Sequence, residues 1–233
     1  MDVPATVRTA LADQPVEGKR CLEAGAGVGN MTAGLLDGGP AAVYAITDDR
    51  EHAQTVRDRV EGGRVAVFEA DLRSMPLRAE TIDVVTAHGL FNVVPPPDAE
   101  RIVSELTRVA APGAHLVVDD YSPLGEHPIR ELFAVENALM ELARGEPALT
   151  FYAADHLQSL FEGHGWSLER RKTLLDPVPW TESHVQAHLD VAREVAADLP
   201  TGTAAPLVER AENLAADIGS VDAGEMYSLA FVR

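Results

Sequence analysis

A short apolar run ending at Cys21 and Leu22 leads into Glu23-Ala24-Gly25-Ala26-Gly27-Val28-Gly29, and the chain continues directly into the helix-like stretch that begins at Asn30. Three glycines at alternate positions between a strand and a helix constrain this chain more than any other segment. Without a Cβ, the backbone of such a turn can bend into left-handed conformations and approach a ligand closely at a helix N-terminus. The stretch therefore reads as a nucleotide-cofactor loop. Its spelling, Glu23-x-Gly25-x-Gly27-x-Gly29, departs from the dinucleotide fingerprint, which places its third glycine where this chain has Asn30.

The carboxylate of Glu23 separates two cofactor classes. A dinucleotide seats a doubly charged pyrophosphate on the helix N-terminus, and an acid beside the first glycine would repel it. S-adenosylmethionine instead brings an ammonium and a sulfonium, which a nearby carboxylate favours. The following segments agree with that choice. At the distance expected of a ribose-binding acid, the apolar run 42–46 ends in Thr47-Asp48-Asp49. A third strand, 65–68, closes on Asp71 and Leu72, with the Asp71 carboxylate placed to accept a hydrogen bond from an adenine amino group. A fourth strand, 82–87, ends at His88. Residues 106–120 then read as the end of a helix, a Pro112-Gly113 turn and a fifth strand.

With these motifs in place the chain resembles the class I S-adenosylmethionine-dependent methyltransferases, in particular the small-molecule group that includes the ubiquinone- and menaquinone-type enzymes. Residues 18–120 carry the resemblance, and 151–171 continue it as a helix, a turn at Gly165 and a sixth strand. It implies an α/β, Rossmann-like fold: a seven-stranded, mostly parallel sheet with one antiparallel strand and helices on both faces. It also implies S-adenosylmethionine as cofactor, S-adenosylhomocysteine as product, and cofactor contacts at Glu23, Gly25, Ala26, Gly27, Gly29, Thr47, Asp48, Asp71, Leu72 and His88. An N-terminal helix over 4–12 would lie across the cofactor. Two departures stand out. The acid that usually closes the second strand is replaced by Thr47, with Asp48 one residue later. Amino-directed nucleic-acid methyltransferases carry Asn or Asp directly before Pro-Pro and an aromatic, whereas here Asn92 is followed by Val93-Val94 and then by Pro95-Pro96-Pro97, so the order is wrong for that sub-class.

At 233 residues the chain is long enough for one domain with a full core: 18–120, 151–175 and 225–233, with helical insertions at about 122–150 and 181–220. In the family the last two strands usually form a hairpin; here the second insertion separates them, and a substrate-pocket cap is expected, with flank packing or a homodimer surface as the alternative. Helical spacing predicts helices over 29–37, 50–60, 98–110, 127–145, 153–163, 181–199 and 204–219, and a closing strand over 226–232. Cys21 is the sole cysteine and sits in the first strand, which leaves it a packing role. His184 and His188 are four apart on one helix with no evident third ligand, so they read as a solvated face and no metal is expected. Asp83 reads as a structural tie at the entry of the fourth strand. Trp166 and Trp180 read as core or lid packing, with a pocket wall for a planar or cationic acceptor as the alternative.

Methyl transfer is an in-line displacement in which the cofactor holds the reactive chemistry. The protein aligns and desolvates, and a base is needed only where the acceptor must lose a proton. The candidate catalytic residues are His88, at the end of the fourth strand, and Tyr121, at the end of the fifth, with Asn92, Asp119 and Asp120 beside them. A small organic acceptor is expected; the alternatives are a protein or RNA acceptor, or a sensor that binds S-adenosylmethionine without transferring anything. A net charge of −18 and only two lysines, Lys19 and Lys172, argue against nucleic acid as a partner. No apolar run approaches the roughly 20 residues of a membrane span, and the first residues lack the blocks of a signal peptide, so a cytoplasmic protein without membrane contact is expected. Acidity spread over the whole chain further suggests a halophilic, salt-rich cytoplasm in which the repulsion is screened. The melting temperature is accordingly expected to rise between dilute and molar potassium chloride, and a flat or falling curve refutes the salt-adapted reading.

Overall fold

The computed structural model describes residues 3–60 and 63–233. Among these residues nine strands follow in chain order: β1 (Arg20–Ala24), β2 (Ala42–Thr47), β3 (Val65–Glu69), β4 (Ile82–His88), β5 (Ala110–Tyr121), β6 (Ser167–Leu175), β7 (Pro179–Trp180), β8 (Val221–Asp222) and β9 (Met226–Val232). Seven of them form one sheet in the order β3-β2-β1-β4-β5-β9-β6, while β7 and β8 make a separate two-stranded pair. Neighbours from β3 to β5 run parallel, and β9 runs antiparallel to both β5 and β6.

The sheet is covered on both faces, which explains why its central strands bury consecutive positions, such as 21–24 in β1 and 84–87 in β4, rather than alternate ones. Cys21, Val43 and Val84 stand in register on one face and pack with Met31 and Leu35. Their neighbours Leu22 and Val85 turn to the other face and join Leu116, Phe231, Leu106, Phe161 and Trp166 in the largest cluster. Among the described residues, eight α-helices supply these layers and one further body: α1 (Ala5–Leu11), α2 (Asn30–Asp37), α3 (Arg50–Arg59), α4 (Pro96–Val109), α5 (Pro128–Arg144), α6 (Ala154–Gly163), α7 (Glu182–Ala196) and α8 (Thr201–Ile218). Local chemistry sets their starts. Asp49 caps α3 by accepting from the His52 N–H at 2.8 Å, and Thr181 and His184 form a reciprocal capping box on α7. Pro96 opens α4 at a position where no backbone N–H is needed. Asp83 ties β4 to β1 by accepting from the Arg20 N–H at 2.9 Å. Trp166 is core, with its indole N–H donating to Thr107 Oγ1 at 2.8 Å.

Two expectations are corrected. The fourth helix starts two residues earlier than its spacing suggested and hands over at Val109 directly to β5. Gly113, at φ +75°, is therefore an irregularity within that strand rather than a turn before it, and its N–H donates to the Arg233 carbonyl at 3.0 Å. Residues 179–180, just before the predicted helix, pair with 221–222 and pinch the ends of the α7–α8 insertion together. Helix α1 does not lie over a ligand site. Val7 packs on α2, and Ala10 packs on the sheet through Val117 and Ala230.

Helices α5, α7 and α8 pack on one another around a core of their own that includes Leu132, Phe133, Val185 and Leu189. This core continues onto Tyr121, Leu174, Leu175 and Met226, so the insertions sit on the carboxyl ends of β5 and β6 and the start of β9. Trp180 belongs to this body, with its indole N–H donating to the Ala223 carbonyl at 2.9 Å. The α1–α2 contact has a direct test. A Cβ at Gly34 would come within 2.4 Å of Val7 Cγ1. Alanine in a helix interior normally gains up to about 1 kcal/mol over glycine, but overpacking against a stiff valine costs roughly 1–3 kcal/mol. Gly34→Ala is therefore expected to lower the melting temperature, and adding Val7→Ala to recover it.

Candidate active site

The turn between β1 and α2 needs the residues the sequence provides. Gly25, Gly27 and Gly29 have φ values of +74°, +48° and +81°, a region that side chains rarely adopt. Gly29 is the residue before the first turn of α2 and has no side chain to cap it, so Glu23 takes that role from below. Its carboxylate accepts from the Thr32 hydroxyl and faces the backbone N–H groups of Met31 and Thr32. Burial pushes the Glu23 pKa up to about 7, against the lowering effect of those donors and of His88. Glu23 was expected to face a ligand directly; it lies underneath the turn.

Above the turn is a cavity of about 560 Å³. Its walls are Gly25 and Gly27, the end of β2 (Thr47, Asp48, Asp49) with His52, the segment after β3 (Asp71, Leu72, Arg73), the segment after β4 (Gly89, Leu90), and the entry to α4 (Val93, Val94, Pro95, Asp98, Ile102), with Glu146 contributed by the connection from α5 to α6. A Cβ at Gly27 would meet nothing nearer than the Gly25 carbonyl at 4.0 Å, so this position opens toward the space above it. A Cβ at Gly25 would come within 2.8 Å of Leu90 Cδ1, which makes that glycine the reason Leu90 can close on the turn.

Six of the predicted cofactor residues line this cavity: Gly25, Gly27, Thr47, Asp48, Asp71 and Leu72. Ala26, Gly29, Glu23 and His88 are not among the lining residues. Thr47 is buried, and its hydroxyl accepts from the Asp49 N–H at 3.2 Å, which leaves exposed Asp48 as the free carboxylate at the end of β2. Asp71 is already engaged. Arg73 Nη2 donates to it at 2.7 Å, and Arg73 Nη1 reaches Asp98 at 2.8 Å, so the guanidinium bridges two walls. Those donors hold the Asp71 carboxyl below its ordinary value. Sequence reading missed the apolar wall of Leu90, Val93, Val94 and Ile102, and it missed Arg73. The apolar run after His88 was the available signal for the wall; for Arg73 it was the basic residue two places after Asp71.

Behind the cavity, the parallel register sets His88 opposite Asp119, and Nδ1 lies 2.8 Å from Asp119 Oδ2. Asp119 is fully buried, and its other oxygen has no hydrogen-bond partner. Asp120, also fully buried, accepts from the backbone N–H groups of Tyr121 at 2.8 Å and Asn92 at 3.1 Å; burial nevertheless pushes its pKa up to about 7. Burial works against charge on His88, but the Asp119 hydrogen bond and the carboxylates of Asp119, Glu23 and Asp120 outweigh it and raise the imidazole pKa. Tyr121 does not join this group. Its ring packs on Trp180 at 5.6 Å between centroids, in the contact between sheet and helical body. His184 and His188, read as a solvated face, are each engaged: His184 in the α7 capping box, and His188 with Nδ1 2.8 Å from buried Glu136 Oε2 on α5. Among the described residues no three His, Cys, Asp or Glu side chains converge on a metal position, and no helix is long and apolar enough to cross a membrane.

A sheet of this order, with a left-handed glycine turn after its first strand and a cavity over the carboxyl ends, defines a Rossmann-like nucleotide-cofactor fold. The methyltransferase domain family matches residues 22–118. A phosphatidylethanolamine N-methyltransferase of Cereibacter sphaeroides is 35% identical over 150 residues, 63% of this chain and 69% of that protein. A demethylmenaquinone methyltransferase of Clavibacter sepedonicus is 36% identical over 118 residues, 50% of this chain but only 46% of that protein. Among solved structures, an S-adenosylmethionine-dependent methyltransferase from Mesorhizobium loti superposes with a TM-score of 0.61 at 16% identity, covering 97% of this chain and 95% of its own. The magnesium protoporphyrin IX methyltransferase of Synechocystis PCC 6803, solved with bound S-adenosylhomocysteine, gives 0.61 at 14% identity, covering 98% and 80%. The chain belongs to the class I S-adenosylmethionine-dependent methyltransferases.

The buried acids make stability depend on pH. Glu23 and Asp120, with ordinary values of 4.5 and 3.8, are both raised to about 7 in the folded protein. A raised folded pKa gives stability that is complete below the unfolded value and is lost as pH climbs through the folded one. Raised His88 adds to the loss at the upper end. The ligand-free melting temperature is expected to fall from about pH 4 to about pH 7, with Glu23→Gln and Asp120→Asn each flattening the decline. A wild-type melting temperature that climbs over the same interval contradicts this assignment.

Proposed function

We propose that this protein transfers a methyl group from S-adenosylmethionine to a small organic molecule. The reading is carried chiefly by the cavity over the glycine turn. Its lining combines the carboxylates of Asp48, Asp49 and Asp71 with the apolar side chains of Leu90, Val93, Val94 and Ile102. The residues fit the cofactor: Gly27 leaves open space where a Cβ would intrude, and the free carboxylate of Asp48 has the chemistry that ribose hydroxyls require. Gly25, Gly27, Thr47, Asp48, Asp71 and Leu72 would hold the adenosyl part, while Glu23, Ala26 and Gly29 shape the turn from beneath. When bound, S-adenosylmethionine supplies an activated methyl group whose leaving group is a neutral thioether.

What remains for the chain is alignment and exclusion of water. Glu146, from the connection between α5 and α6, is the part of the insertion that reaches the cavity wall. A small acceptor is favoured over a nucleic acid because Arg73, the one arginine among the lining residues, is bound by Asp71 and Asp98, and the lining otherwise carries carboxylates. Calorimetry with S-adenosylmethionine, S-adenosylhomocysteine and a nicotinamide dinucleotide tests the cofactor; uptake of the dinucleotide alone overturns the reading. Incubation with a metabolite extract and methyl-labelled cofactor then separates an enzyme from a sensor. Asp48→Asn is expected to weaken cofactor binding by roughly ten- to a hundredfold, the usual worth of a hydrogen bond to a charged group. An unchanged affinity removes Asp48 from the ribose site.

A further inference from the structure

We infer that His88 and Asp119 form a proton-accepting dyad, with Asp119 the positioning residue and His88 Nε2 the acceptor, so that the molecule methylated reacts through an atom that carries a proton and must lose it. The inference rests on the methyl-transfer reading and narrows it: a hydroxyl fits, whereas a tertiary amine or a thioether, which has no proton to give, does not.

The geometry points this way in three respects. Asp119 Oδ2 lies 2.8 Å from His88 Nδ1, so a carboxylate there fixes the ring proton on Nδ1 and leaves the Nε2 lone pair free. Asp119 is fully buried with Oδ1 unpartnered, a costly arrangement that a strand clip does not need, because the β4–β5 ladder already runs through this pair. His88 is not itself a lining residue, but it borders the cavity. The His88 side chain is 20% exposed, and the next two residues, Gly89 and Leu90, line the cavity. The charged groups facing the ring are Glu23 from β1 and Asp119 and Asp120 from β5, all carboxylates, and they favour the imidazolium once it forms. In the transfer, the acceptor's proton passes to Nε2 and the freed bonding pair forms the bond to the methyl carbon. The carbon–sulfur pair leaves on the thioether sulfur, and the imidazolium later gives its proton to water.

Two measurements on the full chain test the dyad. Nitrogen NMR of the His88 ring, assigned by its loss in His88→Gln, is expected to show the Nδ1–H tautomer and a pKa above the ordinary histidine value; Asp119→Asn lowers that pKa and mixes the tautomers. Methyl incorporation from tritiated S-adenosylmethionine into a metabolite-extract acceptor pool, followed from about pH 5 to 9, reports turnover across the histidine range. Asp119→Asn is expected to cut incorporation by about a hundredfold and to move the rising limb to lower pH, with cofactor affinity by calorimetry unchanged. His88→Gln, which keeps a donor toward Asp119, removes the limb. Incorporation that both variants leave intact, or a ring that titrates identically without Asp119, overturns the dyad while methyl transfer stands. No incorporation by wild-type protein that binds the cofactor overturns methyl transfer and the acceptor assignment with it.

Discussion

The carboxyl edge of the sheet is organised around a backbone bend that only glycine adopts without strain. Three left-handed residues in five positions turn β1 into α2, and the helix N-terminus they leave uncapped is satisfied from below by Glu23. That choice propagates outward. The acid is buried beside His88, which in turn faces Asp119 and Asp120, so four ionisable groups from three adjacent strands share one low-dielectric region. Carboxylates in such surroundings bind protons more tightly than in water, and an imidazole among them becomes more basic. The turn that admits a ligand from above thus also sets the protonation of what lies behind it.

Much of this was legible in the sequence, for identifiable reasons. The strands between Arg20 and Tyr121 are buried on both faces and announce themselves as short apolar runs, and the alternation with helices dictates a parallel sheet. The places of Gly25, Gly27, Asp48 and Asp71 at the cavity were readable because they are tied to strand ends, which sequence locates well. Glu23 shows the limit. Its type and position were plain, but whether its carboxylate turns toward a ligand or toward Met31 and Thr32 depends on tertiary packing. Arg73 illustrates the same difficulty, since its second partner, Asp98, is 25 residues away on another element.

The part after Tyr121 was harder to read because its helices make their own core. Amphipathic spacing located α5, α7 and α8, but nothing local specified that 179–180 and 221–222 would pair, or that His188 would find Glu136 across 52 residues. A buried acid joined to a histidine between two helices holds α5 to α7 by a directional contact among otherwise non-directional apolar ones. Aromatic packing of Tyr121 on Trp180 then seats the whole body on the end of β5.

One contact in the first half of the molecule reaches into the second. Leu90 rests where a side chain on Gly25 would stand, and two residues later the Asn92 carbonyl accepts the Thr150 N–H at 2.7 Å. The Val94 carbonyl takes the Tyr152 hydroxyl at 3.0 Å, and the Tyr152 carbonyl takes that of Tyr227 at 2.8 Å. The glycine bend is therefore linked through a short train of contacts to the segment after α5 and to the antiparallel strand β9. A substitution as small as one methyl group at residue 25 would be transmitted as a shift of the segment that joins the helical body to the sheet, some distance from the atom that was added.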